Sequence, residues 1–248
     1  MGSRIQKFKD WILNEDQFYQ NELNTSFWTD KEFDHSIRKK LLQIAEEFYS
    51  TFKLDVPISD IQLTGSLANY NWTPKSDLDV HVLIDFSKIN DDVALVKKAL
   101  DGQRFVWNLR HNIVLRDHDV ELYIQGIDEP HVASGLFSLL NNKWIKIPEF
   151  NPPLVDEKDV ETKFSGIVND IKEVEERLLN PTTEIEPRDL FTYAEKVKSK
   201  IMKMRREGLS ERGEFSVENL VFKKLRNEGY IQKIIDLISR SYEKIYNE

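Results

Sequence analysis

The chain has 248 residues, of which 40% are hydrophobic, enough to bury one large core or two smaller ones. Cysteine is absent, which excludes a disulfide framework and cysteine-based zinc sites and is typical of proteins in a reducing cytoplasm. No apolar run approaches the roughly 20 residues of a membrane span, and there is no signal-peptide core, so we expect a cytoplasmic protein with no membrane partner.

The charge is unevenly distributed along the chain. The net charge is −8, yet residues 191–248 contain 13 Lys or Arg and 9 Asp or Glu, a net charge of +4. Residues 1–190 therefore have a net charge of −12. An acidic first part and a mildly basic end are consistent with a metal site beside a phosphate-binding helical region, but they give no support for extensive sequence-independent binding to DNA.

The beginning of the chain has helical periodicity. Residues 4–21 and residues 33–53 both place aromatic and aliphatic side chains at helical spacing. The pattern is clearer in the second segment, where Ile37, Leu41 and Phe48 share one face. We expect this second helix to lead into the first strand of a sheet.

The most informative segment covers residues 61–85. An apolar strand ends at Gly65 and Ser66, where small residues allow backbone N–H groups to approach an anion closely. After a spacer of ten residues, Asp77 and Asp79 follow two positions apart in a second strand, so both carboxylates point to the same face. Adjacent carboxylates facing such a turn favour a site for Mg²⁺ and a nucleoside triphosphate.

This segment resembles the signature of the DNA polymerase β-like nucleotidyltransferase superfamily, which combines an apolar strand, Gly-Ser, a spacer and Asp-x-Asp. The superfamily has a third acidic residue on a later strand. Residues 120–124 alternate between apolar and polar side chains, so Glu121 is the expected third carboxylate, with Asp119 as the competitor on the same face. The matched motifs span residues 60–125. The amino-acid sequence in and around them also resembles nucleotidyltransferases encoded by bacteriophages.

The resemblance implies a site that uses two metal ions. The three carboxylates would hold two Mg²⁺ or Mn²⁺ ions, while Gly65 and Ser66 would bind the triphosphate. Ser76, directly before the first aspartate, is a further candidate contact to the nucleotide, although serine is also common in such turns. Lys200 and Lys203 lie in the densest basic cluster and are candidates for holding the triphosphate; the competing interpretation is a solvated amphipathic helix.

We predict an α+β fold with two domains. Residues 1–153 would form the catalytic domain, a small mixed sheet with flanking helices, one of them over residues 91–109. Prolines 148, 152 and 153 mark the boundary, and residues 154–248 would form an all-helical domain. Its helices are expected at 157–179, 187–207, 216–227 and 229–246. This region faintly resembles the substrate-clamping helices of poly(A) polymerases and oligoadenylate synthetases.

The activity implied by the resemblance is transfer of a nucleoside monophosphate from a nucleoside triphosphate to a hydroxyl, with release of pyrophosphate. The acceptor stays open, because an RNA 3′ end, a second nucleotide and a protein hydroxyl all fit. The alternative is a non-catalytic nucleotide- or RNA-binding module with a degenerate site. The presence of Gly-Ser, both aspartates and a third acid argues against it, since degenerate members usually lose one of them.

Overall fold

The computed structural model describes residues 19–130, 133–150, 156–180 and 186–247. Residues 19–150 form one compact unit, the sheet unit, and the described residues from 156 onward form a second, the helical unit. The fold is α+β with a helical C-terminal region, as predicted. The predicted domain boundary after residue 153 and residues 4–18 of the helical segment predicted over 4–21 lie outside the described residues, and residues 19–21, which are described, are not helical.

The sheet unit contains eight strands within its described residues. They are β1 Trp28–Thr29, β2 Glu32–Phe33, β3 Asp60–Thr64, β4 Leu78–Ile84, β5 Val114–Leu115, β6 His118–Gly126, β7 Leu136–Ser138 and β8 Lys143–Lys146. The first two form a separate hairpin, which the sequence analysis did not predict. The other six form one sheet in the order β5-β6-β4-β3-β7-β8, in which β4 and β6 are parallel and the other neighbours are antiparallel.

Strand β4 confirms the predicted alternation of side chains. The residues on its core face are fully buried and are all aliphatic: Leu78, Val80, Val82 and Ile84. Asp79 and His81, between them, are only half-buried and lie on the opposite face. The carboxylate face and the core face of the sheet are therefore separated by the two-residue period of the strand.

Two helices pack against the sheet: α1, His35–Ser50, and α2, Val93–Arg110. Helix α1 begins at Asp34, whose side chain accepts hydrogen bonds from the backbone amides of Ser36 and Ile37. The rings of Phe48 on α1 and Trp107 on α2 meet edge to face, with their centroids 5.1 Å apart. The two helices therefore share the aromatic part of one core.

The helical unit contains four α-helices in its described residues: α3 Glu157–Leu179, α4 Pro187–Arg212, α5 Val217–Asn227 and α6 Tyr230–Tyr246. These match the predicted helices, except that α4 continues five residues past its predicted end. It stops at Gly213, whose φ of +73° lies outside the right-handed helical region. None of the described helices is both long and apolar enough to cross a lipid bilayer.

Candidate functional site

Strand pairing brings the sequence-predicted motifs together in the sheet unit. Thr64, the last residue of β3, pairs with Asp79 on β4, so the Gly65 turn lies directly beside this aspartate. On the other side of β4, Asp79 pairs in register with Glu121 on β6. Asp77 comes one residue before β4 and lines the same cleft as Glu121. The Gly-Ser turn and the three carboxylates are thus neighbours across three adjacent strands.

Gly65 allows a backbone approach that no other residue permits. Its φ is +74°, and a Cβ atom added to it would lie 2.0 Å from Oδ2 of Asp79. A side chain would therefore meet both backbone strain and a direct collision with the carboxylate. The position of the Asp79 carboxylate therefore permits only glycine at position 65.

Ser66 and Ser76 are linked by a hydrogen bond of 2.8 Å between their hydroxyls. Ser76 is only 2% exposed, and its Oγ also accepts a hydrogen bond of 2.9 Å from the amide of Thr73. The carbonyl of Ser76 accepts a 2.6 Å hydrogen bond from Nδ1 of the buried His118. A hydroxyl this enclosed is placed to hold the side chain of Ser66, rather than to contact a phosphate itself.

The third carboxylate has a partner that the sequence analysis missed. The hydroxyl of Tyr123 donates a hydrogen bond to Oε2 of Glu121. The Tyr123 ring stacks on His81, with centroids 4.6 Å apart, and Nδ1 of His81 lies 2.7 Å from Oε1 of Gln125. The signal was present in the sequence, because Tyr123 follows Glu121 at the two-residue period of one strand face.

The Tyr123 hydroxyl stays protonated over the whole physiological pH range. Burial raises the pKa of Tyr123 far above its ordinary value, and the charges of Asp79 and Glu121 raise it further. The nearby guanidinium of Arg104, 4.8 Å above the tyrosine ring, opposes this increase only in part. The hydroxyl is therefore a permanent donor to the carboxylate of Glu121.

Helix α2 lies along the outer edge of β6 beside these residues. The side-chain amide of Asn108 donates a hydrogen bond to the carbonyl of Leu122 at 2.9 Å and accepts one from its amide at 3.2 Å. These two bonds take the place of those that a neighbouring strand would make with Leu122. A cleft of roughly 320 Å³ opens between the helix and the strand. Its lining includes Asp77, Glu121 and Arg104.

The geometry distinguishes the two candidates for the third carboxylate. Glu121 is half-buried and lies beside Asp79 within the pairing of β4 with β6. Asp119 is exposed and pairs with Val114 on the short edge strand β5. A rigidly held side chain suits a metal ligand, so this arrangement favours Glu121.

Lys200 and Lys203 lie on α4 in the helical unit, where they line a cleft of roughly 790 Å³. Nζ of Lys200 is 2.7 Å from Oδ2 of Asp170, and Nζ of Lys203 is 3.7 Å from Oε1 of Glu207. Both ammonium groups thus have acidic neighbours within their own unit. A contact between these lysines and a triphosphate stays a prediction.

The carboxylates suit a hard divalent cation, because Mg²⁺ prefers oxygen ligands. Asp79 and Glu121 are in register on neighbouring strands, and because Gly65 has no side chain, the turn can lie directly against the Asp79 carboxylate. In the described part of the chain, no three His, Cys, Asp or Glu side chains are already grouped as metal ligands. Binding a metal ion would therefore require small movements that bring these carboxylates together.

Comparison with known proteins does not add to this description. No protein-family model, no characterised protein and no solved structure matches the chain significantly. The resemblance to the polymerase β-like superfamily thus depends on the Gly-Ser and acidic motifs alone.

Proposed function

We propose that the chain is a metal-dependent nucleotidyltransferase of the polymerase β-like type. The observation that supports this best is the placement of Asp79 between two predicted partners. The Gly65 turn lies against its carboxylate on one side, and Glu121 pairs with it on the other. These segments lie apart in the sequence, and strand pairing makes them neighbours, as a nucleotidyl transfer site requires.

Each side chain has a distinct chemical task in this proposal. Asp77, Asp79 and Glu121 would hold two Mg²⁺ or Mn²⁺ ions, and the turn at Gly65 and Ser66 would bind the β- and γ-phosphates. Such ions, when bound, neutralise the triphosphate and favour ionisation of the attacking hydroxyl. Tyr123 would keep the carboxylate of Glu121 in one orientation through its hydrogen bond.

The transfer step conserves atoms and charge. The oxygen of the acceptor hydroxyl attacks the α-phosphorus of the nucleoside triphosphate and forms a new phosphoester bond. The bond from the α-phosphorus to the oxygen that bridges it to the β-phosphate breaks, and pyrophosphate leaves with that electron pair. In this proposal Glu121 would accept the hydroxyl proton, which then passes to solvent.

Incubation with each of the four labelled nucleoside triphosphates tests the proposal. The reactions contain Mg²⁺ or Mn²⁺, with and without bulk tRNA, and the products are separated by chromatography. We expect release of pyrophosphate and a labelled product with at least one nucleotide, and no product with the double Asp77→Ala, Asp79→Ala variant. Transfer that persists in this variant would show that the chemistry occurs elsewhere.

A thermal shift measurement separates the enzyme from an inert protein. A ligand that binds only the folded state stabilises it by about 2.7 kcal/mol at a hundredfold excess over Kd. We expect nucleoside triphosphate with Mg²⁺ to raise the melting temperature and EDTA to abolish the increase. An increase without any labelled product would favour the alternative, a nucleotide-binding module without activity.

A further inference from the structure

Helix α2 presents large apolar side chains to solvent at the rim of the carboxylate cleft. Phe105 is 63% exposed and Leu109 is 76% exposed, and both line the cleft together with Asp77 and Glu121. They lie four residues apart, so they are neighbours on one helix face. Exposed apolar surface beside a polar cleft is typical of a ligand-binding site.

Phe105 and Leu109 form an apolar wall of the cleft. The position of this wall relative to the carboxylates indicates which of the two reactants would contact it. The Gly65 turn, the expected triphosphate site, lies on the β3 side of Asp79. The cleft lies on the opposite side, between Glu121 and helix α2. A hydroxyl that attacks the α-phosphorus opposite the leaving pyrophosphate must therefore approach from the cleft.

The chemistry of the cleft selects among the possible acceptors. Three of its lining residues are acidic, Asp77, Asp119 and Glu121, and only Arg104 carries a permanent positive charge. This charge disfavours a phosphate group inside the cleft and favours an uncharged base and ribose there, with any phosphate of the acceptor lying outside the cleft. A flat aromatic ring and an aliphatic side chain on one wall suit the face of a nucleobase.

The size and the polar end of the cleft agree with this assignment. Its volume, roughly 320 Å³, lies at the lower end of ligand sites and suits one nucleoside, not a protein loop. His111 and Asn112, which directly follow the last residue of α2, also line the cleft. Nδ1 of His111 donates to the carbonyl of Trp107 at 2.8 Å, which leaves Nε2 and the amide of Asn112 for the edge of a base.

We propose that the cleft between α2 and β6 binds the acceptor, and that the acceptor is a nucleoside with a free ribose hydroxyl whose base stacks on Phe105 and Leu109. This inference rests on the proposed nucleotidyltransferase function. The nucleoside can be a free nucleotide or the 3′ end of an RNA, since both present the same base and ribose. A serine or threonine hydroxyl would leave the apolar wall uncovered.

Direct binding to the full chain tests the proposal. The probes are a 5′-fluorescein triribonucleotide, followed by anisotropy, and AMP as its competitor, both with Mg²⁺ and a non-hydrolysable nucleoside triphosphate. We expect Phe105→Ala to weaken binding at least about fivefold, because stacking on an aromatic side chain is lost, and Phe105→Trp to retain it. Competition by AMP at similar concentration identifies a free nucleotide, whereas binding of the triribonucleotide alone identifies an RNA end.

A matched control is available on the same helix. Leu95 is 59% exposed on α2 and does not line the cleft, so Leu95→Ala should bind the probe as the unmodified chain does. The thermal shift with nucleoside triphosphate should be the same in all these variants. In the transfer reaction, Phe105→Ala should raise the KM of the acceptor and leave the KM of the nucleoside triphosphate unchanged.

The two proposals fail in different ways. Unchanged probe binding in Phe105→Ala, or no probe binding while the triphosphate still raises the melting temperature, would overturn the acceptor site and leave the proposed function standing. Transfer of nucleotide to the protein itself, at equal rates in the unmodified chain and in Phe105→Ala, would also overturn the acceptor site. It would favour a protein hydroxyl as the acceptor. Absence of both the thermal shift and transfer would overturn both proposals.

Discussion

Tyr123 and Glu121 form a donor and acceptor pair on one face of β6, with the tyrosine hydroxyl bonded to Oε2 of the carboxylate. Stacking on His81 fixes the tyrosine ring from one side, and Arg104 lies over the ring as well. The pair therefore restricts the rotation of a carboxylate that we expect to bind metal. Such supporting hydrogen bonds orient the ligands of many metal sites.

Tyr123→Phe should weaken metal binding without unfolding the chain. The ring and its stacking on His81 are retained, and only the donor to Glu121 is lost. Loss of such a partner weakens metal affinity by about tenfold or more, so the Mg²⁺ concentration for half-maximal transfer should rise by that factor. Tyr49→Phe is the matched control, because it loses a hydrogen bond to the carbonyl of Val56 away from the site. Equal metal dependence in both variants would contradict the pairing.

Asp77→Ala and Asp79→Ala should each abolish transfer and leave the fold intact. Both carboxylates are expected to serve a cation, and in metal-free buffer their proximity is repulsive. Their removal should therefore leave the free energy of unfolding unchanged or slightly increase it. Circular dichroism and thermal unfolding in EDTA check the fold, and the labelled nucleotide assay checks activity. A marked loss of stability would indicate that these carboxylates are structural.

Glu121→Gln should lose most of the activity, whereas Asp119→Asn should lose little. Both changes remove a charge and keep the size of the side chain. Glu121 lies beside Asp79 in the strand pairing, and Asp119 lies exposed opposite Val114 at the sheet edge. Steady-state rates of the two variants measured side by side decide the matter. A reversal of the two phenotypes would assign the third carboxylate to Asp119.

The local part of the site followed from the sequence, because strand periodicity and motif spacing are short-range features. Alternation in β4 predicted that Asp79 lies opposite the aliphatic core face, and alternation in β6 predicted the same for Glu121, whereas Asp77 lies one residue before β4. The helices were predicted for the same reason, since their apolar faces recur at helical spacing. The last five residues of α4 were missed because Gly208, a poor helix former, directly follows the predicted end.

Contacts between distant segments could not be predicted in this way. The bond from His118 to the carbonyl of Ser76 joins residues 42 positions apart, and the amide of Asn108 reaches Leu122 on another element. The first depends on how β6 lies beside the segment before β4, and the second on how α2 packs against β6; sequence spacing specifies neither. The same limit applies to Phe105, whose place beside the carboxylates follows only from the position of α2.

Asp34 should contribute to the stability of the sheet unit in a pH-dependent manner. Its hydrogen bonds with the Ser36 hydroxyl and the Ile37 amide, followed by the ion pair with Arg116, hold the pKa of the Asp34 carboxyl well below its usual value of 3.8. Because the folded pKa is depressed, this stabilisation is complete above the unfolded pKa and is lost as the pH falls through the folded one. Asp34→Ala should reduce the free energy of unfolding by about 1 kcal/mol at pH 7.

Urea unfolding followed by tryptophan fluorescence measures this effect, since four of the five tryptophans lie in the sheet unit: Trp28, Trp72, Trp107 and Trp144. The difference between Asp34→Ala and the unmodified chain should shrink as the pH falls below about 4. Asp34→Asn is the control: it keeps the helix cap but has no charge to titrate, so it should retain most of the stability and lose the pH dependence. A difference that stays constant down to pH 2 would contradict the assignment.

Gly65→Ala should abolish both nucleotide transfer and the thermal shift, and Gly213→Ala is the matched control. The two glycines have nearly the same backbone, with φ of +74° and ψ of −162° at Gly65 and φ of +73° and ψ of −160° at Gly213. A Cβ atom at Gly213 meets nothing within 4 Å, whereas at Gly65 it would lie 2.0 Å from Oδ2 of Asp79. Both variants should therefore lose about 1–3 kcal/mol of stability to backbone strain. Only Gly65→Ala must also displace the aspartate, so it alone should lose transfer and the thermal shift with nucleoside triphosphate and Mg²⁺. If Gly65→Ala retains both, the close approach of this turn to Asp79 is not required for the activity.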